Sequence, residues 1–530
     1  MNKRFSIIDV FILIFLLLFT VLFAVKFVDF SLAPFEDAAI LMRYALHFAK
    51  GYGIVWNIGE KPVDGATDFL FMILVGLFVK LGLSLEFATR LIGFLSHIIT
   101  VLLVYITMRR LFFAGFLLSA FTSLYLVVGP GLYYVSAYFG TTFFALWASI
   151  SWYFALSIIV NGETRDKSLM FVISSFITAL IRPEGVILTG LMLISIVYIN
   201  GIKKSRFSIY FWIGIFLSLG GLYFLWRWHY FGFPLPNPFY KKSETINLRN
   251  FLISARNTIV LCLPFLPSFI IGLYSQKTIQ LTIGLLIPIL GFVTAFIMIS
   301  QEMNYLGRYQ YVLLPIVLMS WWPLVKAIKE DFYFPKWNQL NLQKRIILIL
   351  LITGLSIGVI CYQLIISQYK GRYYRDGRYD VALILSSYKD KHFTIATTEA
   401  GLLPLYSGWK TLDTWGLNDQ WIAHNGGITE EYLSQFQPHI IMFHAYFSPL
   451  VPCQGNDAWF EMVMILKRYA EKHKYVLAAV FGDSPYDTHY YYIRNDFPES
   501  TEIINRIRAV NYWWYGTGRK AINYALIAGK

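Results

Sequence analysis

Residues 11–25 read FILIFLLLFTVLFAV, an unbroken apolar run that follows the basic residues Lys3 and Arg4. With its flanks, the run approaches the roughly 20 apolar residues that a helix needs to cross a bilayer. The run is long for a signal peptide, and no small-residue cleavage site follows it. It therefore predicts a first transmembrane helix whose N-terminus lies in the cytoplasm.

The composition of the whole chain agrees with a membrane protein. Of its 530 residues, 57% are hydrophobic and only 14% are charged, whereas about a quarter of the residues of soluble domains are charged. A cytosolic enzyme, a disordered protein and a disulfide scaffold are excluded, the last because the chain has three cysteines. The net charge of +14 lies almost entirely before residue 368, where loop cations orient membrane helices, so no nucleic acid partner is implied.

Ten further apolar runs bring the predicted number of spans to about eleven. They are residues 87–108, 111–129, 139–160, 169–181, 185–200, 207–228, 258–274, 279–299, 310–327 and 346–367. The short pair 169–181 and 185–200 could also form one broken hairpin. The loops between these runs place most basic residues on the cytoplasmic side and the C-terminal part outside.

One apolar segment, Phe69–Leu83, is too short for a span and contains Lys80. Counting it as a span would put Arg109 and Arg110 outside, against the usual distribution of basic residues. We therefore expect a re-entrant helix near 69–83 within an outer loop of residues 27–86.

The chain is expected to have two parts. Residues 1–367 form the transmembrane catalytic domain, a polytopic α-helical unit. Residues 368–530 alternate short β-rich runs, at 393–398, 439–444, 475–481 and 489–494, with a helical stretch at 459–473. That pattern is typical of an extracytoplasmic α/β domain large enough for its own core.

Four polar groups fall on the outer side of this topology. They are Glu36, Asp37, Arg43, Asp64 and Asp68 in the first loop; Arg227 and His229 with Asn237, Tyr240 and Lys241; Arg308 and Tyr309 after Glu302; and Arg182 with Glu184 around Pro183. Carboxylates close to several cations suit the transfer of a group from a lipid phosphate, because arginine and lysine pair with phosphate.

Each group also has a simpler interpretation. The first-loop acids could be ordinary helix-start residues, and the aromatic and basic segment could be an interfacial belt. Arg308 could pair with Glu302, and Arg182 with Glu184. A transporter, by contrast, would place polar residues near the middle of several spans, where this chain has mostly serine and threonine. An enzyme is therefore favoured.

The first loop resembles that of the polyprenyl-phosphate-dependent arabinofuranosyltransferases of the GT-C superfamily. The matching stretches are FEDAAILMRYA at 35–45, GYGIVWN at 51–57 and PVDGATDFL at 62–70. Further matches are RPEG at 182–185, the segment 230–241, Arg308, EAG at 399–401 and DTWGLNDQWIA at 413–423. The resemblance covers nearly the whole chain.

The resemblance implies the GT-C fold and transfer of a sugar, arabinofuranose, to a cell-envelope glycan or lipopolysaccharide at the outer face of the bacterial inner membrane. Asp37 or Glu36 would be the catalytic base. Donor phosphate would be bound by Arg308, Lys241, Arg227 and Arg182. Donor or acceptor would be bound by Arg43, Asp68, Glu184, His229, Asn237, Tyr240 and Tyr309.

The chain departs from this family where Glu36 replaces an aspartate, where Ala39 replaces an aromatic residue, and where residues 140–143 read GTTF instead of a glutamate-containing motif. A mannosyl or aminosugar transferase of the same fold, including one that modifies a protein such as pilin, is the alternative. A non-catalytic flippase or polymer-export component is a second alternative. No ligand spacing requires a metal, although Glu36, Asp37 and Asp68 could hold a divalent cation.

Overall fold

The computed structural model describes residues 6–242, 246–298, 301, 304–331, 341–370 and 375–528. Helices make up the first part of the chain. They are α1 (Ile7–Phe27), α2 (Glu36–Ala49), α3 (Phe69–Lys80), α4 (Leu85–Arg110), α5 (Phe116–Val127), α6 (Gly131–Ser136), α7 (Thr141–Asn161), α8 (Arg165–Ile181), α9 (Glu184–Asn200), α10 (Arg206–Ile215), α11 (Gly221–Phe231), α12 (Asn237–Lys242), α13 (Leu248–Cys262), α14 (Leu266–Tyr274), α15 (Ile279–Ala295), α16 (Leu313–Asp331) and α17 (Leu342–Lys370).

Eight helical segments of the described chain are long and apolar enough to cross a membrane, which confirms a polytopic membrane protein. They are Ile7–Phe27, Leu85–Arg110, Phe116–Ser136, Thr141–Asn161, Ile202–Phe231, Leu248–Tyr274, Ile279–Met298 and Arg345–Ser367. The other three predicted spans correspond to α8, α9 and α16. Helices α8 and α9 have 17 residues each, and the apolar part of α16, Leu313–Lys326, is shorter still.

A proline separates α8 from α9. Arg182 ends α8 in an extended conformation, with φ −141° and ψ 140°, as expected for a residue before proline. Pro183 then precedes the first residue of α9. A Cβ atom on Gly185 would collide with the carbonyl of Thr178, so only glycine allows the two helices to approach this closely. The two predicted runs are therefore two helices.

Helix α3 corresponds to the segment expected to be re-entrant. It has 12 residues, a length of about 18 Å, against the roughly 30 Å of a bilayer core. It ends at Lys80, and Gly82, two residues later, has a φ of 100° that suits glycine. The placement of α3 within the membrane stays a prediction.

A six-stranded mixed sheet with flanking helices follows the last long helix. Its elements are α18 (Gly377–Ser386), β1 (Thr394–Thr397), α19 (Leu402–Ser407), β2 (Lys410–Asp413), α20 (Gln420–His424), α21 (Glu430–Phe436), β3 (Ile440–Ala445), α22 (Ala458–Lys472), β4 (Val476–Ser484), β5 (Asp487–Ile493), α23 (Ser500–Arg508), β6 (Ile522–Asn523) and α24 (Tyr524–Ala528). We call this part the outer domain, after the side of the membrane that the sequence predicts for it.

The strand order is β2-β1-β3-β5-β4-β6. Strand β1 is parallel to β2 and β3, and the remaining pairs are antiparallel. The four predicted β-rich runs form β1, β3, β4 and β5, and the predicted helix is α22. Strands β2 and β6 were not predicted, because four and two residues are too few for an alternating pattern. A C-terminal sheet domain is thus confirmed.

Arg43 fastens the outer domain to the first loop. Its guanidinium donates hydrogen bonds to the carbonyl oxygens of Trp56, at 2.9 Å, and Trp409, at 3.0 Å. It also donates to the carbonyl of Pro404 and to Asn57 Oδ1. The side chain is buried and lies 4.8 Å from the Trp56 ring. A buried cation with four acceptors acts here as a structural link between distant parts of the chain.

We expect Arg43→Met to lower the free energy of unfolding by about 3 kcal/mol, because the change leaves four buried acceptors without their charged donor. Thermal unfolding of the detergent-solubilised protein measures the effect. Arg468→Met is the matched control, since Arg468 is exposed on α22. If the two variants melt together, Arg43 does not hold the parts together.

Candidate active site

The first turn of α2 holds the predicted catalytic pair, Glu36 and Asp37. The N-terminal end of a helix favours carboxylates. Successive helical residues point about 100° apart, so the two side chains diverge. Asp37 lines a cavity, whereas Glu36 turns to the outer domain.

The cavity next to α2 has a volume of about 100 Å³. The first loop, the connection between α6 and α7, and the segment before α16 supply most of its wall. Pro238 and Leu417 complete the wall, so the outer domain contributes directly. Five of the predicted site residues come together here: Asp37, Asp68, Arg182, Arg308 and Tyr309.

Asp37 forms an ion pair with Arg308, with 2.5 Å between Oδ2 and Nη2. Arg308 also donates to the Tyr309 hydroxyl at 3.0 Å and lies 4.2 Å from the Phe139 ring. A kinked turn before α16 presents Arg308, because Leu306 and Gly307 adopt φ values of 52° and 71°. Glu302, the predicted alternative partner, lies outside the described residues.

Arg182 is the second cation of the cavity. It pairs with Asp68 at 2.7 Å and with Glu184 at 3.1 Å, so the simple Arg182–Glu184 pair is only part of its environment. The Tyr309 ring is 5.2 Å from the guanidinium of Arg182 and 4.9 Å from that of Arg308. Burial raises the pKa of Asp68 even though both arginines oppose the shift. Two cations and three carboxylates thus surround one ring.

A second, much smaller crevice of about 10 Å³ adjoins the same cations. Polar and apolar side chains share its wall: Thr141, Phe144, Arg182, Glu184, Phe292, Phe296, Arg308 and Tyr309. An anion bound at the two arginines would therefore have aromatic rings close to it.

Arg227 does not line the cavity. Its guanidinium forms a buried pair with Asp64 and donates to the Tyr223 hydroxyl at 2.7 Å. Asp64 therefore provides Arg227 with a full ionic partner within the protein, and burial raises the pKa of Asp64. This pair joins α11 to the first loop.

The segment after α11 contacts the outer domain. Asn237 Nδ2 donates to the carbonyl oxygen of Gly416 at 2.8 Å and also bonds those of Leu417 and Asp419. Lys241 Nζ lies 4.3 Å from the Trp415 ring. The sequence motif at residues 230–241 therefore contacts the motif at residues 413–423.

Two other predicted residues of this region lie outside the cavity. Tyr240 packs against His424, with ring centroids 4.3 Å apart, and thereby extends the contact with the outer domain. His229 is exposed on α11.

Glu36 belongs to a buried charge network. Its Oε1 accepts from the amides of Gly401 and Leu402, and its Oε2 lies 3.5 Å from Arg378. Burial raises the pKa of Glu36 to about 8. The positive charge of Arg378 opposes this shift, and the negative charge of Glu399 adds to it. A Cβ on Gly401 would collide with the Glu36 backbone, so glycine is required there.

The sequence did not single out Arg378, and it identified Glu399 only as part of the EAG motif. Arg378 is buried and pairs with Glu399, and with Asp376 at 2.7 Å. The one available signal was the charged sequence RDGRYD at 375–380, which in a polar region is typical of a solvated surface.

The three carboxylates predicted as possible cation ligands do not point toward one shared position in the part of the chain that the structure describes. Asp37 and Asp68 already have Arg308 and Arg182 as partners. Glu36 is bound to backbone amides of the outer domain. A divalent cation between Asp37 and Asp68 would have to displace both arginines.

Comparison with sequence families gives one match: residues 367–496 match a family described as a domain of unknown function (DUF8728). This match covers most of the sheet but none of the helices that line the cavity wall. No curated protein matches this chain by sequence.

Solved structures of two other proteins are similar in fold to this chain. ArnT from Cupriavidus metallidurans bound to undecaprenyl phosphate is similar with a TM-score of 0.55 at 12% identity, covering 90% of this chain and 97% of that chain. The Archaeoglobus fulgidus oligosaccharyltransferase in the apo form is similar with a TM-score of 0.53 at 12% identity, covering 93% and 75%. The same enzyme tethered to an acceptor peptide containing the NVT sequon gives 0.53 at 11% identity, covering 94% and 75%.

Proposed function

We propose that this protein is a membrane glycosyltransferase that moves a sugar from a polyprenyl-phosphate donor to an acceptor hydroxyl on the outer face of the bacterial inner membrane. The observation that carries the proposal is the convergence of Asp37, Arg308 and Arg182 on one cavity. The fold shared with ArnT bound to undecaprenyl phosphate supports a lipid-phosphate donor.

The two arginines bind the donor phosphate in this proposal. As the bond between the anomeric carbon and the phosphate oxygen breaks, negative charge develops on the departing polyprenyl phosphate. Arg308 and Arg182, partly desolvated around Tyr309, stabilise that charge. Arg227 and Lys241 support the wall of the site, since neither side chain lines the cavity.

Asp37 is the catalytic base in this proposal. It accepts the proton of the acceptor hydroxyl as the oxygen attacks the anomeric carbon. Donor phosphate would attract Arg308 and so release the Asp37 carboxylate for this role. Glu36 is the weaker candidate, because it faces the outer domain and its raised pKa keeps it protonated near neutral pH.

The sugar we assign is arabinofuranose, and the acceptor a cell-envelope glycan or lipopolysaccharide. The support for this choice is the sequence motifs of the first loop and of residues 413–423. The outer domain supplies Leu417 to the cavity wall, so we place the acceptor between it and Asp37.

We expect Asp37→Asn to lower the transfer rate by at least about 100-fold, because it keeps the size of the side chain and removes the proton acceptor. Glu36→Gln is the matched control and should stay close to wild type, since glutamine imitates a protonated glutamate and can still accept from the Gly401 amide. The turnover rate is measured with radiolabelled donor. Loss of turnover in Glu36→Gln but not in Asp37→Asn would assign the catalytic base to Glu36.

We expect Arg308→Ala to reduce kcat/KM for the donor by about 100-fold, because it removes a charge that faces the leaving phosphate. Arg308→Lys should fall between alanine and wild type, since lysine keeps the charge but not the planar donor set. Arg249→Ala, at an exposed position on α13, is the control. If kcat/KM for the donor does not change in Arg308→Ala, Arg308 does not bind the donor phosphate.

The donor itself is tested with purified protein and synthetic polyprenyl-phosphoryl arabinofuranose, mannose and aminoarabinose, each offered with envelope glycans, lipopolysaccharide and a pilin-type protein. Transfer from arabinofuranose alone, lost in Asp37→Asn, is the expected result. Transfer from another donor would replace the arabinose assignment and keep the site. Donor binding with no transfer to any acceptor would favour the flippase or export role.

A further inference from the structure

Three buried side chains of the outer domain meet on one face of its sheet. His444 on β3 and His489 on β5 are register partners, so they are direct cross-strand neighbours on the same face. Their ring centroids lie 4.9 Å apart. On the other side of β3, Thr397 pairs with Met442, and Glu399, two residues further on, lies beside His444.

The ligand atoms of these three residues are close enough to share an ion. One atom from each residue lies within 4.8 Å of the other two. His444 Nδ1 is 3.4 Å from Glu399 Oε1, which is longer than the about 2.7–2.9 Å of a charge-assisted hydrogen bond. It equals the distance of about 3.4 Å between two ligand atoms of a tetrahedral zinc ion.

Each of the three residues has a second partner on its other side. His444 Nε2 lies 2.5 Å from Asp487 Oδ1, and His489 Nδ1 lies 2.7 Å from the Tyr512 hydroxyl. The second oxygen of Glu399 bonds Arg378. Metal-binding histidines commonly have such an outer partner, often a carboxylate, which fixes the ring and its tautomer.

One atom of the group has no partner. His489 Nε2 is fully buried and has no hydrogen bond to any side chain or backbone group that the structure describes. A buried polar nitrogen without a partner is costly. The side of His489 opposite Tyr512 therefore presents a free ligand position.

We propose that Glu399, His444 and His489 bind a Zn²⁺ ion through Oε1, Nδ1 and Nε2. Two imidazoles and one carboxylate are a ligand set that zinc uses in proteins. Asp376, paired with Arg378 at 2.7 Å, offsets the nearby cation of Arg378. The three residues belong to the outer domain, whereas Asp37 and Asp68, the acids considered for a cation earlier, belong to the first loop.

The ion would stabilise the contact between the outer domain and the first loop. Glu399 is two residues before Gly401, whose amide binds Glu36, and Glu36 is adjacent to Asp37. Fixing Glu399 therefore fixes the loop that holds the start of α2. Three protein ligands leave the fourth tetrahedral position to a water molecule, and the proposal does not depend on which reaction the cavity carries out.

The test uses the full-length protein in detergent, analysed by inductively coupled plasma mass spectrometry. We expect about one Zn²⁺ per chain and loss of that ion in His489→Gln. His473→Gln, at an exposed helix end, should retain it. Asp487→Asn keeps all three ligands and should weaken Zn²⁺ binding by about 10–100-fold.

A second measurement needs no variant. The wild-type protein is stripped with a chelator and titrated with Zn²⁺, and in parallel with Co²⁺ as a spectroscopic probe. Saturable Zn²⁺ uptake with a higher Tm, and visible Co²⁺ bands of a tetrahedral site, are expected. The proposal would be overturned if the stripped protein took up no Zn²⁺, or if His489→Gln took up as much as wild type. His444 would then be a protonated imidazole that bonds Glu399 and Asp487.

Discussion

The pairing of carboxylates in the first outer loop with arginines from other elements organises this structure. Charges that leave water need a partner of opposite sign, so each pair fixes the position of two distant segments. The pairs are Asp37 with Arg308, Asp64 with Arg227, and Asp68 with Arg182. The first and the last line the cavity, and the second attaches its wall to α11. Glu36 attaches the loop to the outer domain through the backbone amides of Gly401 and Leu402. The site is therefore built from the same ion pairs that fix the loop.

Much of the fold could be predicted from the sequence because membrane crossing depends on a local property. Apolar length alone identified the spans, and it also marked α3 as too short to cross. The break between α8 and α9 follows from Pro183, whose effect on the preceding residue is local. Strands β2 and β6 were not predicted, because four and two residues are too few to show an alternating pattern of apolar and polar side chains. The sheet order depends on pairing between distant strands, which no local pattern contains.

The candidate site was predictable in its residue types but only partly in its geometry. Asp37 and Arg308 could be named from their position at outer helix ends, yet their pairing depends on how α2 packs beside the turn before α16. Arg227 looked like a free cation in the sequence, but Asp64 neutralises it in the fold. The group formed by Glu399 and its two histidines was missed because its members come from separate strands and form no compact motif. Such a group appears only when the strand register is known.

The link between Glu36 and Gly401 spans 365 residues, and that separation has a consequence for biosynthesis. The first loop leaves the ribosome early, but the backbone amides that hold it are made only after all the membrane helices. Until then Glu36 lacks these two amides, and closing such a long loop carries an entropic cost. The first loop therefore gains these buried contacts only after the outer domain has been made, and a chain interrupted before residue 401 would lack them.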